Sequence, residues 1–146
     1  MKNPFGIRTR KYNEEDYDFV YTNRKKSLFP CIKEYESVNK KDFDKDFTKR
    51  YKEIIIIMKG KRRIGFYHII PDSFVKNALY LVMIFISPAY QKKKMGYFLM
   101  KYFETWGYKK IRLQVWDNNP AVKFYKKLGY KVISKKNHRY LIEKTL

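Results

Sequence analysis

The chain has 146 residues, 34 Lys and Arg against 14 Asp and Glu, and a formal charge of +20 at pH 7. Hydrophobic residues make up 45% and charged residues 33%, which excludes an intrinsically disordered chain and suits one domain, residues 1–146, with a real core. A single cysteine, Cys31, excludes an internal disulfide framework and a multi-cysteine metal cage, and two histidines, His68 and His138, argue against a protein-built zinc site, so no metal is expected.

No apolar stretch follows the first residues, and the longest apolar run, Ala78 to Ile86, has nine residues. A spanning helix needs about 20. The expectation is a cytoplasmic protein with neither secretory signal nor transmembrane segment. Charge is unevenly spread: residues 1–50 carry 13 basic and 9 acidic side chains, and residues 51–146 carry 21 and 5. So basic a second half predicts a phosphate-bearing ligand, nucleic acid or an acidic protein partner.

In chain order, Phe5 to Lys11 reads as a first strand. Asn13 offers an N-cap to a helix running to about Lys26, with acids in its first turns. Pro30 is expected to break the chain. Asn39 to Tyr51 reads as a second, polar helix with Phe43 and Phe47 on one stripe. Glu53 to Lys59 holds four consecutive isoleucines and favours strand. Gly60-Lys61-Arg62 turns it into a second strand, Arg63 to Ile70. Ala78 to Ser87 is a third, and its unbroken apolar run predicts burial on both faces. A helix follows from about Gln91 to Trp106, stopped by Gly107. Lys110 to Val115 alternates like a strand. Asn118, Asn119 and Pro120 open a last helix that Gly129 ends. Strands near Tyr130–Ser134 and Arg139–Glu143 close the chain. The order β-αα-βββ-α-β-α-ββ predicts an α/β fold: one mixed, largely antiparallel twisted sheet of about seven strands, with helices on both faces. Its edge strands offer a surface for pairing a second subunit into a homodimer.

Two segments carry chemistry. Ile84 to Gly96 is a buried strand, a loop and a helix start, and backbone N–H groups at a helix start make an anion site. Lys92, Lys93, Lys94 and Gly96 there suit a pyrophosphate, although three lysines are equally an ordinary solvated helix end. Asn118 to Tyr130 is a capped amphipathic helix, and Tyr125 on its apolar stripe is by itself a core residue.

In this order and spacing the two segments resemble the GNAT superfamily of N-acetyltransferases. Gln91 and Gly96 match the outer positions of the family's Q/R-x-x-G-x-G/A pyrophosphate motif. Asn118, Ala121, Phe124, Tyr125, Gly129 and Tyr130 match its second motif. The match covers about residues 78–134. One position departs: the first glycine of the phosphate motif is Lys94, whose side chain disfavours the positive φ that glycine would supply.

The resemblance implies an acetyl-CoA-dependent N-acetyltransferase acting by direct attack of a primary amine of a small molecule, peptide or protein. The amides from Lys92 through Lys93, Lys94, Met95 and Gly96 to Tyr97 would hold the pyrophosphate, with Gln91 opening that motif. Lys92, Lys93 or Lys123 would reach the 3′-phosphate. Backbone groups of Phe85 and Ile86 would pair with the pantetheine between two splayed parallel strands, and Asn118 would bond it directly or through water. Tyr125 would protonate the departing thiolate. The general base stays open among Glu34, Glu36, His68, Tyr80 and a water relay. The acids between Glu14 and Phe47 would attract a cationic acceptor. The alternative is a GNAT-fold module without catalysis that binds nucleic acid or an acidic partner through its basic face.

Overall fold

The computed structural model describes residues 3–35 and 51–146. The expected second helix, residues 39–51, falls almost entirely outside them, as do Phe43 and Phe47. Seven strands form one sheet in the order β1-β2-β3-β4-β5-β7-β6. They are β1 (Arg8–Lys11), β2 (Ile55–Lys59), β3 (Arg62–Pro71), β4 (Ala78–Ile86), β5 (Lys110–Trp116), β6 (Lys131–Lys136) and β7 (Arg139–Thr145). Among the described residues four helices accompany them: α1 (Tyr17–Tyr35), the short α2 (Pro88–Gln91), α3 (Met95–Glu104) and α4 (Ala121–Lys127). The fold is the mixed, mostly antiparallel α/β sheet expected from the sequence, with β4 and β5 running parallel. Among the described residues no helix is long and apolar enough to cross a membrane.

The chain falls into two units, with β3 and β4 contributing residues to each. The first holds residues 2–68 and 84–87. Here β1 and β2 pair antiparallel from Arg8↔Met58 to Lys11↔Ile55, and β2 pairs with β3 across a bulge at Ile57/Met58. The isoleucine run explains the strand: Ile54, Ile56 and Ile57 are fully buried. Gly60, at φ +59°, makes the tight turn into β3. Phe66 stacks on Phe85 at 5.2 Å, and Phe19 of α1 meets both rings edge-on. Gly65 has no room for a side chain, because a Cβ would collide with the Phe85 carbonyl oxygen.

The start of α1 is built as the sequence suggests, through a short 3₁₀ turn. Asn13 Oδ1 accepts from the Glu15 amide at 2.9 Å, and Asp16 Oδ2 accepts from the Asn13 amide at 2.8 Å. Asp16 also receives Arg10 through two nitrogens and Arg63 through Nε, each at 2.7 Å. Its side chain is wholly buried. Burial alone would raise its pKa, but these hydrogen bonds outweigh burial and hold the carboxyl well below the usual range. Helix α1 does not stop at Pro30: it continues to Tyr35. Proline removes one hydrogen bond and crowds the carbonyl four residues back. The helix carries on and buries Cys31, as it buries Val20 two turns and more earlier.

The second unit holds residues 69–83 and 88–146. The parallel ladder runs from Ala78↔Lys110 to Leu81↔Leu113, while β4 continues to Ile86 and β5 to Trp116. The expectation that β4 is buried on both faces is therefore corrected. Ala78, Leu79 and Leu81 are buried, but residues 82–85 are only half-buried. They lie past the end of the ladder. Strand β7 pairs with β5 over its whole length, from Lys110↔Thr145 to Trp116↔Arg139. In α3, Met95, Leu99 and Phe103 recur every four residues and are fully buried. Gly107, at φ +91°, follows α3, and Gly129, at φ +96°, follows α4, both where the sequence places helix stops.

Candidate active site

The expected helix from Gln91 to Trp106 is two pieces. Helix α2 ends at Gln91, and α3 begins at Met95. Between them Lys93 donates its amide to the Tyr90 carbonyl at 3.3 Å and lays its ammonium over the Tyr90 ring at 5.3 Å. Lys94 then takes φ +62°, ψ +20°. This is the left-handed conformation that the family's glycine would supply. For a lysine it costs about 1 kcal/mol. The substitution has kept the glycine's backbone shape and added a cation.

No side chain caps α3. The first bond of its ladder runs from the Phe98 amide to the Lys94 carbonyl at 3.0 Å. The amides of Met95, Gly96 and Tyr97 therefore precede the helical ladder and sit beside three exposed lysines, Lys92, Lys93 and Lys94. Gly96 and its neighbours thus form a cradle of oriented N–H dipoles flanked by positive charge, a setting suited to a pyrophosphate.

The second motif follows β5. The Asp117 amide donates to the His138 carbonyl at 2.8 Å, and Lys135 pairs with the Asp117 carboxylate at 2.9 Å. This fixed turn buries the Oδ1 atom of Asn118. Asn119 Oδ1 accepts from the Ala121 amide at 2.9 Å and so starts α4. Lys123 stands exposed on that helix. Tyr125 points inward and is 6% exposed, its ring meeting Phe124 and Tyr130 edge-on at 5.2 and 5.8 Å. No hydrogen bond reaches its hydroxyl among the described residues. Burial pushes the phenol well above its ordinary value. The same happens at Tyr130, whose buried hydroxyl has no hydrogen-bond partner among the described residues.

The loop at Lys92–Tyr97, Asn118, Lys123 and Tyr125 all belong to the second unit, whereas Phe85 and Ile86 belong to the first. Ser87 donates to the Ile64 carbonyl at 2.8 Å, and the Phe85 carbonyl faces Gly65, so both turn toward β3. Backbone directions alternate along a strand, which turns Ile86 the other way. Among the candidate bases, His68 is buried, with Nε2 3.0 Å from Glu53 Oε2. Glu34 sits in the last turn of α1, and Glu36 lies outside the described residues. The nine acids expected to draw a cationic acceptor include Asp16, which is committed to two arginines.

Sequence reasoning missed a polar cluster under the parallel strands. Arg112 donates to Asp72 at 3.1 Å and to Glu143 at 3.2 Å. Tyr80 stands directly opposite Arg112 in the register. Burial first, and then Asp72, raise the Tyr80 phenol. The alternation of Arg112 and Gln114 was the only signal, and partners more than 30 residues apart do not show in it.

A mixed sheet with one parallel pair carries both expected motifs, the uncapped lysine-rich helix start after β4 and the Asn118–Tyr125 turn and helix after β5. The profile of the acetyltransferase (GNAT) domain family matches residues 50–132, and the chain belongs to that family. No curated protein matches the sequence significantly. The fold is similar to PaiA N-acetyltransferase from Thermoplasma acidophilum in complex with coenzyme A, with a TM-score of 0.71 at 20% identity over 96% of this chain and 99% of that one. It is also similar to spermidine N-acetyltransferase from Vibrio cholerae in complex with CoA and spermine, with a TM-score of 0.65 at 17% identity over 96% and 95%. A third is Naa50 from Arabidopsis thaliana bound to the bisubstrate analogue CoA-Ac-MVNAL, with a TM-score of 0.62 at 16% identity over 97% and 99%.

Proposed function

We propose that the chain is an N-acetyltransferase that moves the acetyl group of acetyl-CoA to a primary amine of a small molecule, peptide or protein. The observation that carries this reading is the left-handed Lys94, which turns the uncapped amides of α3 and three lysines into one anion cradle. The amides from Lys92 to Tyr97 hold the pyrophosphate, and Lys92, Lys93 or Lys123 meets the 3′-phosphate. Asn118, at the start of the second motif, bonds the pantetheine arm or an ordered water. The relatives solved with coenzyme A, spermine or a peptide analogue support the substrate classes without selecting among them.

In the reaction the amine nitrogen bonds to the acetyl carbon, the carbon–sulfur bond breaks, and the sulfur leaves with the electron pair. Tyr125 donates its proton to that sulfur. A buried phenol is a weak acid, but a thiolate formed in the same apolar surroundings is a stronger base than in water, so the two values rise together. The amine attacks in its neutral form and loses one proton to water or to a neighbouring base, and a proton from solvent restores the Tyr125 phenol, so the acceptor's proton balances the one taken by the sulfur.

Calorimetric titration with acetyl-CoA tests the cradle. Saturable binding at micromolar concentration is expected, followed by release of coenzyme thiol on addition of an acceptor from a panel of polyamines, amino acids and peptides. Absence of binding at both low and high salt would remove the enzyme reading and leave the inactive GNAT module.

A further inference from the structure

Each of the four side-chain carboxylates in the second unit is already engaged. Asp72 pairs with Arg112, Glu143 with Lys110 and Arg112, Glu104 with Lys101 and Lys144, and Asp117 with Lys135. The unit contains sixteen Lys and Arg, and eleven of them have no carboxylate within 4 Å among the described residues. Coenzyme phosphates account for those near α2 and α4. They do not account for Lys131, Lys136 and Arg139 on β6 and β7, nor for Lys76 and Lys109.

Lys76 and Lys109 lie at the loop that leads into β4. The Asp72 amide closes the loop on the Ala78 carbonyl at 2.9 Å. Asp72 Oδ1 accepts from the amides of Phe74 and Val75 at 2.8 and 2.9 Å, while Oδ2 holds Arg112. Asn77, at φ +60°, accepts from the Lys109 amide at 2.8 Å. On this fixed backbone the Phe74 side chain is 95% exposed. Lys76 and Lys109 are exposed beside it, and Tyr108, next to Lys109, is half-buried.

A single exposed phenylalanine needs no explanation by itself. Phe74 differs because Asp72 fixes the turn that presents it, in the loop that carries Lys76 and whose Asn77 carbonyl holds the Lys109 amide, two cations with no carboxylate within 4 Å among the described residues. A bare aromatic face beside unpaired lysines matches single-stranded nucleic acid, whose bases stack on such rings while its phosphates meet the lysines. In a duplex the bases already stack on one another. An acidic peptide would use the lysines and leave the ring unused.

We propose that this loop, with Phe74 as stacking platform and Lys76 and Lys109 as phosphate contacts, docks single-stranded nucleic acid. Strand β4 has nine residues, about 30 Å at its usual rise, and separates this loop from the coenzyme cradle at its other end. Docking here is therefore independent of the acetyl-transfer chemistry.

Fluorescence anisotropy of labelled dT12 and U12 with the full chain, at 50 and 200 mM salt and with or without saturating acetyl-CoA, tests the proposal. Saturable binding that weakens with salt and persists with acetyl-CoA is expected. Phe74→Ala should weaken it about tenfold at an unchanged salt slope, with an unchanged melting temperature because the ring buries nothing. Replacing Lys76 and Lys109 by alanine should flatten the salt slope by about 0.7 for each lysine. No binding at 50 mM salt, or equal affinity of Phe74→Ala, would overturn the proposal. Loss of binding with acetyl-CoA would move the polyanion to the coenzyme loop and overturn it as well. Equal competition by polyglutamate of the same length would replace nucleic acid by an acidic peptide.

Discussion

At the start of α1 the chain satisfies its own donors. Asn13 caps the first turn, and Asp16 closes the box and grips Arg10 and Arg63. At the start of α3 no side chain does this, and Lys94 is held in a left-handed conformation ahead of amides that no side chain caps. Both starts are acidic or basic in ways a charge count would treat alike. The first closes on itself and stabilises the fold. The second accepts backbone strain and leaves donors without a side-chain cap, the arrangement expected where a ligand supplies the acceptor.

The largest expected effect lies at the closed start. Asp16→Asn removes a buried partner of two arginines and should destabilise the protein by about 3 kcal/mol in a denaturant titration. A loss under about 1 kcal/mol would break the contrast. Because the folded carboxyl titrates below its ordinary value, its stabilisation is complete above about pH 4 and fades as pH falls below that. The variant should therefore lose less stability than the parent between pH 4 and pH 2.

Next comes Tyr125→Phe, for which turnover should fall about 10²-fold while acetyl-CoA affinity stays nearly unchanged. Burial keeps this phenol protonated through neutral and mildly basic pH. The rate profile of the parent between pH 6 and 9 should thus carry no tyrosine limb, and the variant should keep its shape. Unchanged turnover would return Tyr125 to the core.

Smaller effects sharpen the comparison. Lys94→Gly should relieve the left-handed strain and raise stability by about 1 kcal/mol, with coenzyme binding retained, as read by melting and calorimetry. A destabilised Lys94→Gly would mean that the lysine side chain, rather than the backbone shape, holds the loop. Tyr130→Phe removes a buried hydroxyl that has no partner among the described residues, and should be neutral or stabilising by less than about 1 kcal/mol.

The strands were legible because their signals are local. The isoleucine run, the Gly60 turn and the alternation from Ile111 to Val115 each occupy a few adjacent residues. The two site motifs were legible for the same reason, and the position of Asn118, Lys123 and Tyr125 on one turn and helix follows from spacing alone. Pro30 misled, because its local penalty is smaller than the packing gained by a longer α1 that buries Cys31. Lys94 misled in the opposite sense: a lysine does not announce a positive φ, and the surrounding loop imposes it. The Asp16 grip joins residues 47 positions apart, and the Asp72–Arg112 pair joins residues 40 apart. No window along the chain contains such pairs, and only the sheet register brings them together.

The burial of Cys31 has a practical sequel. It is the one thiol of the chain, and it is 7% exposed. A disulfide dye added to the folded protein should find almost no sulfur to react with, so that each equivalent of colour formed during turnover reports one molecule of free coenzyme. Slow colour in the absence of acceptor would then report either thioester hydrolysis or opening of α1, and withholding acetyl-CoA separates the two.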